Sequence, residues 1–225
     1  MQLLGIVFSS VSMVVVAQPS VSFFYSDLPP YEYTDQQGRA AGIAIDRVQR
    51  LFAAAGWRVF YHFDSVPRGE RALEQLVDFT TVVAPTAQQR QQYVISELPL
   101  YQIELGVIRT EQTPPVTQWA DLLQQPYLVL RDTRFAYLQD EAYASPLMTL
   151  RYEVANSADA LRLLNSGRFA YFLCYVSSHQ APPAPWLKVD VLGRYPVHLV
   201  ISRQHAQAQQ YMQTIDALLR RTDFH

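Results

Sequence analysis

The strongest constraint on the fold of this chain is a regular alternation of short apolar runs with amphipathic helical segments. The first run, residues 20–25, reads SVSFFY and ends at the turn sequence SDLPP, a pattern typical of a buried strand. In residues 43–55 apolar side chains recur at helical spacing, and Gly56 follows where a helix C-terminal glycine belongs. Strands that alternate with helices predict a mainly parallel sheet joined by right-handed crossovers. The predicted fold class is therefore α/β.

The same alternation continues to the end of the chain. The polar, proline-bearing stretch RTEQTPP at residues 109–115 is the best candidate for a boundary, because the pattern restarts after it. Ser157 is predicted to cap its helix, with Asp159 in the first turn. Further strands are predicted at residues 58–63, 79–84, 103–108, 127–130, 150–154, 169–173, 189–192 and 197–201, and further helices at 68–76, 118–123, 135–142, 157–164 and 206–220.

Length, charge and cysteine content narrow the class of protein. The 225 residues suffice for two small lobes with real cores. The formal net charge is −2 and no run of Lys or Arg occurs, which argues against a nucleic-acid partner. The single cysteine, Cys174, excludes an intrachain disulfide and is predicted to be a small buried hydrophobe.

Motifs for catalysis and metal binding are missing from the sequence. The five histidines show no metal-ligand spacing, and neither a Gly-x-Ser-x-Gly motif nor a phosphate-binding glycine loop occurs. We therefore predict no catalytic residues, no metal site and no cofactor.

Residues 1–17 form an uncharged apolar segment, with Val15 and Ala17 at the −3 and −1 positions of a plausible cleavage site. The segment is shorter than the roughly 20 apolar residues that span a bilayer. It predicts a secretory signal peptide, with the mature chain starting near Gln18 in the periplasm. The alternative is a buried N-terminal strand.

Three segments in order carry a resemblance to a known family: YSDLPPYEYTDQQGRAAGIAIDRVQRLFAAAGW, then VPRGERALEQL, then PTAQQRQQYVISELPLY. They resemble the first lobe of extracellular solute-binding proteins of family 3, which deliver small polar ligands, often amino acids, to ABC importers. The resemblance implies a two-lobed, type II periplasmic binding protein-like fold that closes like a hinge and acts as a monomer. Residues 18–108 and 194–225 would form lobe 1 and residues 109–193 lobe 2, with hinge crossings near residues 107–112 and 191–195.

The resemblance also implies ligand contacts in the first lobe. Tyr25, Asp27 and Tyr31 lie in or beside the loop after the first strand, which faces the cleft in this family; packing under the loop is the alternative for Tyr31. Val66 and Arg68 begin the second helix, where a helix N-terminus favours an anionic group, although a solvated helix face is an equal alternative for Arg68.

A third first-lobe contact is expected from the segment at Pro85 and Thr86. Amino-acid binders of the family place an Arg three residues after a Thr to bind the ligand carboxylate. In this chain Arg90 comes four residues after Thr86, and counting back from Ser96 puts Gln89 at the Arg position. We predict Pro85, Thr86 and Arg90 as ligand contacts.

In the second lobe, Thr133, Arg134 and Phe135 follow a strand and resemble the family segment that completes the carboxylate site. Ala170 replaces the Asp of the family's Gly-Arg-x-Asp pattern, and Tyr175 stands where many amino-acid binders place an Asp for the ligand ammonium group. Because a phenol cannot offset a full positive charge, Tyr175 is predicted to contact a ligand in a different way.

The function implied by the resemblance is capture of a small polar ligand, an amino acid or a related organic acid, in an interlobe cleft. The partners would be the membrane subunits of an ABC importer or a membrane sensor. Two alternatives stay open: a sensing or relic domain without transport, and an enzyme resembling cyclohexadienyl dehydratase on the same fold.

Overall fold

The computed structural model of the chain describes residues 18–64, 68, 73, 77–131, 133, 135 and 150–221. The predicted signal peptide, the predicted helix at 135–142 and most of that at 68–76 lie outside these residues. The strands are β1 (Ser20–Tyr25), β2 (Tyr33–Thr34), β3 (Ala40–Ala41), β4 (Arg58–Phe63), β5 (Phe79–Val83), β6 (Tyr93–Ile95), β7 (Tyr101–Thr110), β8 (Tyr127–Leu130), β9 (Arg151–Val154), β10 (Tyr171–Val176) and β11 (Leu187–Ser202). The helices are α1 (Ile43–Ala54), α2 (Ala87–Gln92), α3 (Trp119–Leu123), α4 (Ser157–Asn165) and α5 (Ala208–Leu219).

Two groups of parallel strands are joined by two long antiparallel strands. The sheet order is β4-β1-β5-β11-β7-β10-β8-β9, with β6 also paired to β11. Strand β1 pairs in parallel with β4 and β5, and β8 pairs in parallel with β9 and β10. Strands β7 and β11 pair antiparallel to each other along their length. The predicted α/β class is confirmed, but the sheet is mixed: pairing is parallel inside each of the two groups and antiparallel where β7 and β11 join them. We call β1, β4 and β5 with α1 and α5 the first lobe, and β8, β9 and β10 with α4 the second lobe.

Each lobe has its own apolar core. The amphipathic helices α1 and α5 pack their buried faces on the first-lobe sheet, and α4 packs on the second. A third cluster, rich in tyrosine, lies where the long strands meet the loop after β1. Fully buried members of the first two cores are Phe23, Phe52 and Phe79 in the first lobe and Leu128, Leu164 and Phe172 in the second.

One stretch that the sequence predicts as two strands is a single strand in the structure. Residues 187–202 form one 16-residue strand, β11, where the sequence predicts two. Gly193 and Pro196 look like breakers, but Gly193 follows a register shift in the pairing with β7. Pro196 lacks an N–H, yet its carbonyl accepts the N–H of Ala84 at 2.8 Å. The strand therefore continues through both residues.

Helix ends differ from prediction at α4. Its N-cap is Asn156 and not Ser157, because the Asn156 side chain accepts the N–H of Asp159 at 2.8 Å. Helix α1 ends as predicted, with Gly56 at φ +74° directly after the cap residue Ala55. Among the described residues, no helix is long and apolar enough to cross a membrane.

Candidate ligand-binding cleft

A small cavity lies between the two lobes, at the carboxyl ends of their strands. Its volume is about 10 Å³, room for about one water molecule. Leu28 and Pro29, from the loop after β1, form the first-lobe wall. The second-lobe wall follows β8 and β10 and consists of Leu130, Thr133, Leu173, Cys174 and Tyr175. The carboxyl ends of strands are where open α/β sheets bind ligands, so this cavity is the candidate cleft.

The loop after β1 is fixed to the first lobe by backbone contacts. The carbonyls of Pro30 and Tyr31 accept the N–H groups of Ile43 and Ala44 at 3.2 and 2.8 Å, which occupies the N-terminus of α1. Gly42 has φ +117°, and a Cβ there would stand 2.4 Å from the Tyr31 carbonyl oxygen. Only glycine allows the loop this close to α1.

Tyr31 connects this loop to the strands that lead into the second lobe. Its side chain is 3% exposed, and its hydroxyl donates to the Val176 carbonyl at 2.8 Å and accepts the Glu104 N–H at 2.9 Å. Its ring stacks on Tyr101 with centroids 5.6 Å apart and meets Tyr175 edge-on at 6.4 Å. Tyr31 is therefore buried and is not among the residues that line the cavity, and its contact with a ligand stays a prediction.

Glu32 is a buried carboxylate that the sequence reasoning missed. It is 7% exposed, and its Oε1 accepts from the Ser26 N–H at 3.1 Å and from the Ser26 hydroxyl at 3.0 Å. Its Oε2 has no hydrogen-bond partner among the described residues. Burial raises the pKa of Glu32 to about 7, and the bonds from Ser26 limit that rise. A Glu between two tyrosines in a proline-rich loop carries no sequence signal of burial.

Glu104 on β7 is a second buried carboxylate that was missed. It is 5% exposed and accepts from the Ser178 N–H at 2.5 Å, the Ser178 hydroxyl at 2.8 Å and Arg194 Nε at 2.8 Å. Burial alone would raise the pKa of Glu104, but the bonds from Ser178 and Arg194 outweigh it and lower the pKa below its ordinary value. Glu104 ties β7 to the segment after β10 and to β11.

The first-lobe candidates occupy different environments. Tyr25 is 4% exposed, packs in the first-lobe core and shares a 3.0 Å hydrogen bond with the Thr34 hydroxyl. Asp27 is exposed beside the cavity loop, and partial burial of its carboxyl raises its pKa. Arg68 is exposed and forms an ion pair with Asp64 at 3.2 Å. Val66, like Arg134 of the second lobe, lies outside the described residues.

The segment from Pro85 to Arg90 forms a capped helix that the sequence did not predict. The Thr86 hydroxyl accepts the Gln89 N–H at 3.3 Å, and the Gln89 side chain accepts the Thr86 N–H at 3.0 Å. The Gln89 side chain therefore stabilises the start of α2. Arg90 lies exposed in its last turn, and Pro85 is buried.

The second-lobe candidates come together at the cavity. Thr133 is 9% exposed and lines it with Tyr175, which is 7% exposed. Phe135 is 1% exposed and meets the Tyr175 ring edge-on at 5.7 Å. Cys174 is buried against the same cavity, as predicted, and burial raises the pKa of its thiol. Among the described residues, no group of His, Cys, Asp or Glu is placed to hold a metal ion.

Similar folds occur among solved two-lobed binding proteins. The arginine-bound form of a truncated ArgBP from T. maritima matches with a TM-score of 0.71 and 15% identity, covering 91% of this chain and 96% of that one. A histidine kinase sensor domain with similarity to periplasmic binding proteins matches with a TM-score of 0.69 and 18% identity, covering 89% and 88%. The GluR0 ligand-binding core with L-glutamate matches with a TM-score of 0.69 and 16% identity, covering 92% of both chains.

These likenesses confirm the two-lobed periplasmic binding protein-like fold. No protein-family model matches the sequence, and no curated protein sequence matches it.

Proposed function

We propose that this chain is a periplasmic solute-binding protein that captures a small polar ligand in the cleft between its lobes. The observation that carries the proposal is the cavity between the loop after β1 and the ends of β8 and β10, in a fold whose lobes are joined by two long strands. Such a fold can open and close around a ligand by bending at the connecting strands. Residues 18–108 with 194–225 and residues 109–193 are the proposed lobes, and the proposed active form is a monomer.

The proposed ligand is an amino acid or a related organic acid. Structural neighbours include proteins solved with arginine and with L-glutamate. Thr133 offers a hydroxyl to the cavity, and Tyr175 offers a ring with a polar tip. Thr86 and Arg90 are the first-lobe residues proposed to hold an anionic group.

The test is a thermal-shift screen of the protein with amino acids, polyamines, dicarboxylates and aromatic acids. A ligand at 100 times its Kd adds about 2.7 kcal/mol to the free energy of unfolding, a rise that a melting curve detects. The Thr133→Val variant should lose most of the shift produced by a true cleft ligand, while the Ser157→Ala variant, far along the chain on α4, should keep it. The proposal would be contradicted if no compound of the panel raised the melting temperature of the wild-type protein.

A sensing role is the second candidate, because one structural neighbour is a histidine kinase sensor domain. Delivery to an ABC importer predicts that deleting the gene stops cellular uptake of the ligand found in the screen. A sensor predicts unchanged uptake and loss of the transcriptional response to that ligand.

A further inference from the structure

We propose that Glu32 is a pH-sensitive switch for the loop after β1. Ionisation of its buried carboxyl opens residues 26–32 locally, while the rest of the first lobe stays folded. Leu28 and Pro29 of this loop form the first-lobe wall of the candidate cleft. The inference therefore rests on the proposed function, and it makes pH a condition that controls one wall of the proposed binding site.

The Glu32 residue closes this loop on itself. Its Oε1 accepts from the N–H and the hydroxyl of Ser26, which directly follows β1, at 3.1 and 3.0 Å. The backbone repeats the closure, because the Leu28 N–H donates to the Glu32 carbonyl at 2.7 Å and the Glu32 N–H donates to the Leu28 carbonyl at 3.2 Å. The two ends of the loop are therefore held together through one residue, and a change in the charge of that residue acts on the whole loop.

The Glu32 carboxyl is buried without a cation beside it. In the part of the chain that the structure describes, its Oε2 has no hydrogen-bond partner and no Lys, Arg or His forms an ion pair with it. An ionised carboxyl is costly to bury unless it is paired, whereas the neutral acid tolerates burial. Burial accordingly raises the pKa of Glu32 to about 7, although the bonds from Ser26 oppose the rise. Above that pH the closed loop buries a charge that the open loop would expose to water.

The tyrosines packed around the loop do not titrate in this range. Tyr101 of β7 interacts electrostatically with Glu32, and it stacks on Tyr31. Burial raises the pKa of both hydroxyls above their ordinary value of 10, so both stay neutral at pH 8. Tyr175 of β10, which meets Tyr31 edge-on, is also a phenol, a group that ordinarily titrates near pH 10.

The charged or titratable groups on the elements around the loop are exposed or ion-paired: Asp46 on α1, His62 on β4, Asp64 after β4 and Glu104 on β7. Within the loop, partial burial raises the pKa of the exposed Asp27. A variant that removes only the Glu32 carboxyl therefore separates its titration from all of these.

The direction and size of the effect follow from the two pKa values of Glu32. An exposed glutamate has the ordinary value of 4.5, and the closed loop holds Glu32 near 7. The opening constant therefore rises as pH increases from about 4.5 through 7, because the ionised carboxyl favours the open loop. Between pH 5 and pH 8 the expected rise is about 70-fold.

Native-state hydrogen exchange followed by NMR measures this opening without any ligand. The loop is reported by the N–H groups of Leu28, Tyr31 and Glu32, which donate within the loop. Global unfolding is reported by the N–H of Leu199, which is buried and donates to Ser96. Each opening constant is the measured exchange rate divided by the rate of the unprotected amide at the same pH. Loop opening should depend less on urea than the opening at Leu199, because local opening exposes little surface.

The wild-type loop should show the rise of about 70-fold between pH 5 and pH 8. Glu32→Gln keeps an oxygen that accepts from Ser26 but cannot ionise, so its loop opening should change by less than about threefold. Tyr31→Phe is the matched control in the same loop, since it removes a neutral hydroxyl that is bonded to the Val176 carbonyl and the Glu104 N–H. It should increase opening at every pH and keep the wild-type rise.

Equal opening constants at pH 5 and pH 8 in wild type would overturn the switch, as would a rise that Glu32→Gln retains or that Tyr31→Phe abolishes. Loop amides with the urea dependence of Leu199 would also overturn it, because the loop would then open only by global unfolding. Failure of the proposed function looks different. In that case no compound of the ligand panel raises the melting temperature of wild type, while the loop still opens as pH rises.

Discussion

Replacement of Glu32 by Gln should change how the stability of this protein depends on pH. The pKa of Glu32 is raised from the ordinary value of 4.5 to about 7 because burial removes water from its carboxylate, whose Oε2 has no hydrogen-bond partner in the part of the chain that the structure describes. The folded state therefore binds a proton more readily than the unfolded state does. Protonated Glu32 favours folding at low pH, and this contribution is lost as pH rises from about 4.5 through 7.

The size of the effect on stability follows from the rise in the pKa of Glu32. A change of 1 in pKa corresponds to about 1.36 kcal/mol, so Glu32 should cost the folded state about 2.5 kcal/mol more at pH 8 than at pH 5. Glu32→Gln removes the titration and keeps an oxygen that can accept from Ser26. Burial of the new amide nitrogen lowers the free energy of unfolding by an amount that does not vary with pH. The free energy of unfolding of the variant relative to wild type should therefore rise by about 2.5 kcal/mol between pH 5 and pH 8.

The assay is urea unfolding of both proteins at pH 5, 6, 7 and 8. Carboxyls with lowered pKa, such as Glu104, give stability the opposite pH dependence, but they are common to both proteins and cancel in the difference. Glu111→Gln is the control, because Glu111 is exposed and its ion pair with Lys188 is worth less than about 1 kcal/mol. A difference between Glu32→Gln and wild type that stays constant across this pH range would refute the reasoning.

Two further predictions concern stability. Asn156→Ala should lower the free energy of unfolding by about 1 kcal/mol because it removes the N-cap of α4. Ser157→Ala should change this free energy by less than about 0.5 kcal/mol. Urea unfolding of both variants tests the prediction, and equal losses would contradict the assignment of Asn156 as the cap. Asp190→Ala should lower the free energy of unfolding by about 3–5 kcal/mol. The Asp190 carboxylate accepts hydrogen bonds from Arg109 at 2.6 and 3.1 Å and from the Val116 N–H at 2.8 Å, and its loss leaves the mostly buried guanidinium of Arg109 without its ion-pair partner. A melting temperature within a few degrees of wild type would show that Arg109 finds other partners.

Local patterns in the sequence predicted most of the fold. Helix α1 and strand β8 were predicted within one residue at each end because their apolar spacing and flanking turns act over a few residues. Helix α2 was not predicted, since five of its six residues are polar and none is buried. The sequence did not predict β11 as one strand, because the effect of Gly193 and Pro196 depends on partner strands far away in the chain.

The candidate site was less predictable than the fold because its contacts join residues distant in sequence. Thr133 and Tyr175 were predicted and do line the cavity, although their role in binding stays a prediction. Glu104 accepts hydrogen bonds from Ser178 and Arg194, which are 74 and 90 residues away. No local pattern in the sequence records such a pairing.

Tyr31 and Glu32 are neighbours in one loop and bond to different partners, yet both lie beside Tyr101. Tyr31 bonds to Val176 and Glu104, and Glu32 bonds to Ser26 within the first lobe. Because adjacent residues with a shared neighbour couple, we expect their effects on stability in the double variant to depart from the sum of the single effects by about 0.5 kcal/mol or more. Urea unfolding of the two single variants and the double variant measures this coupling, and effects that add to within about 0.5 kcal/mol would mean that the two residues act independently.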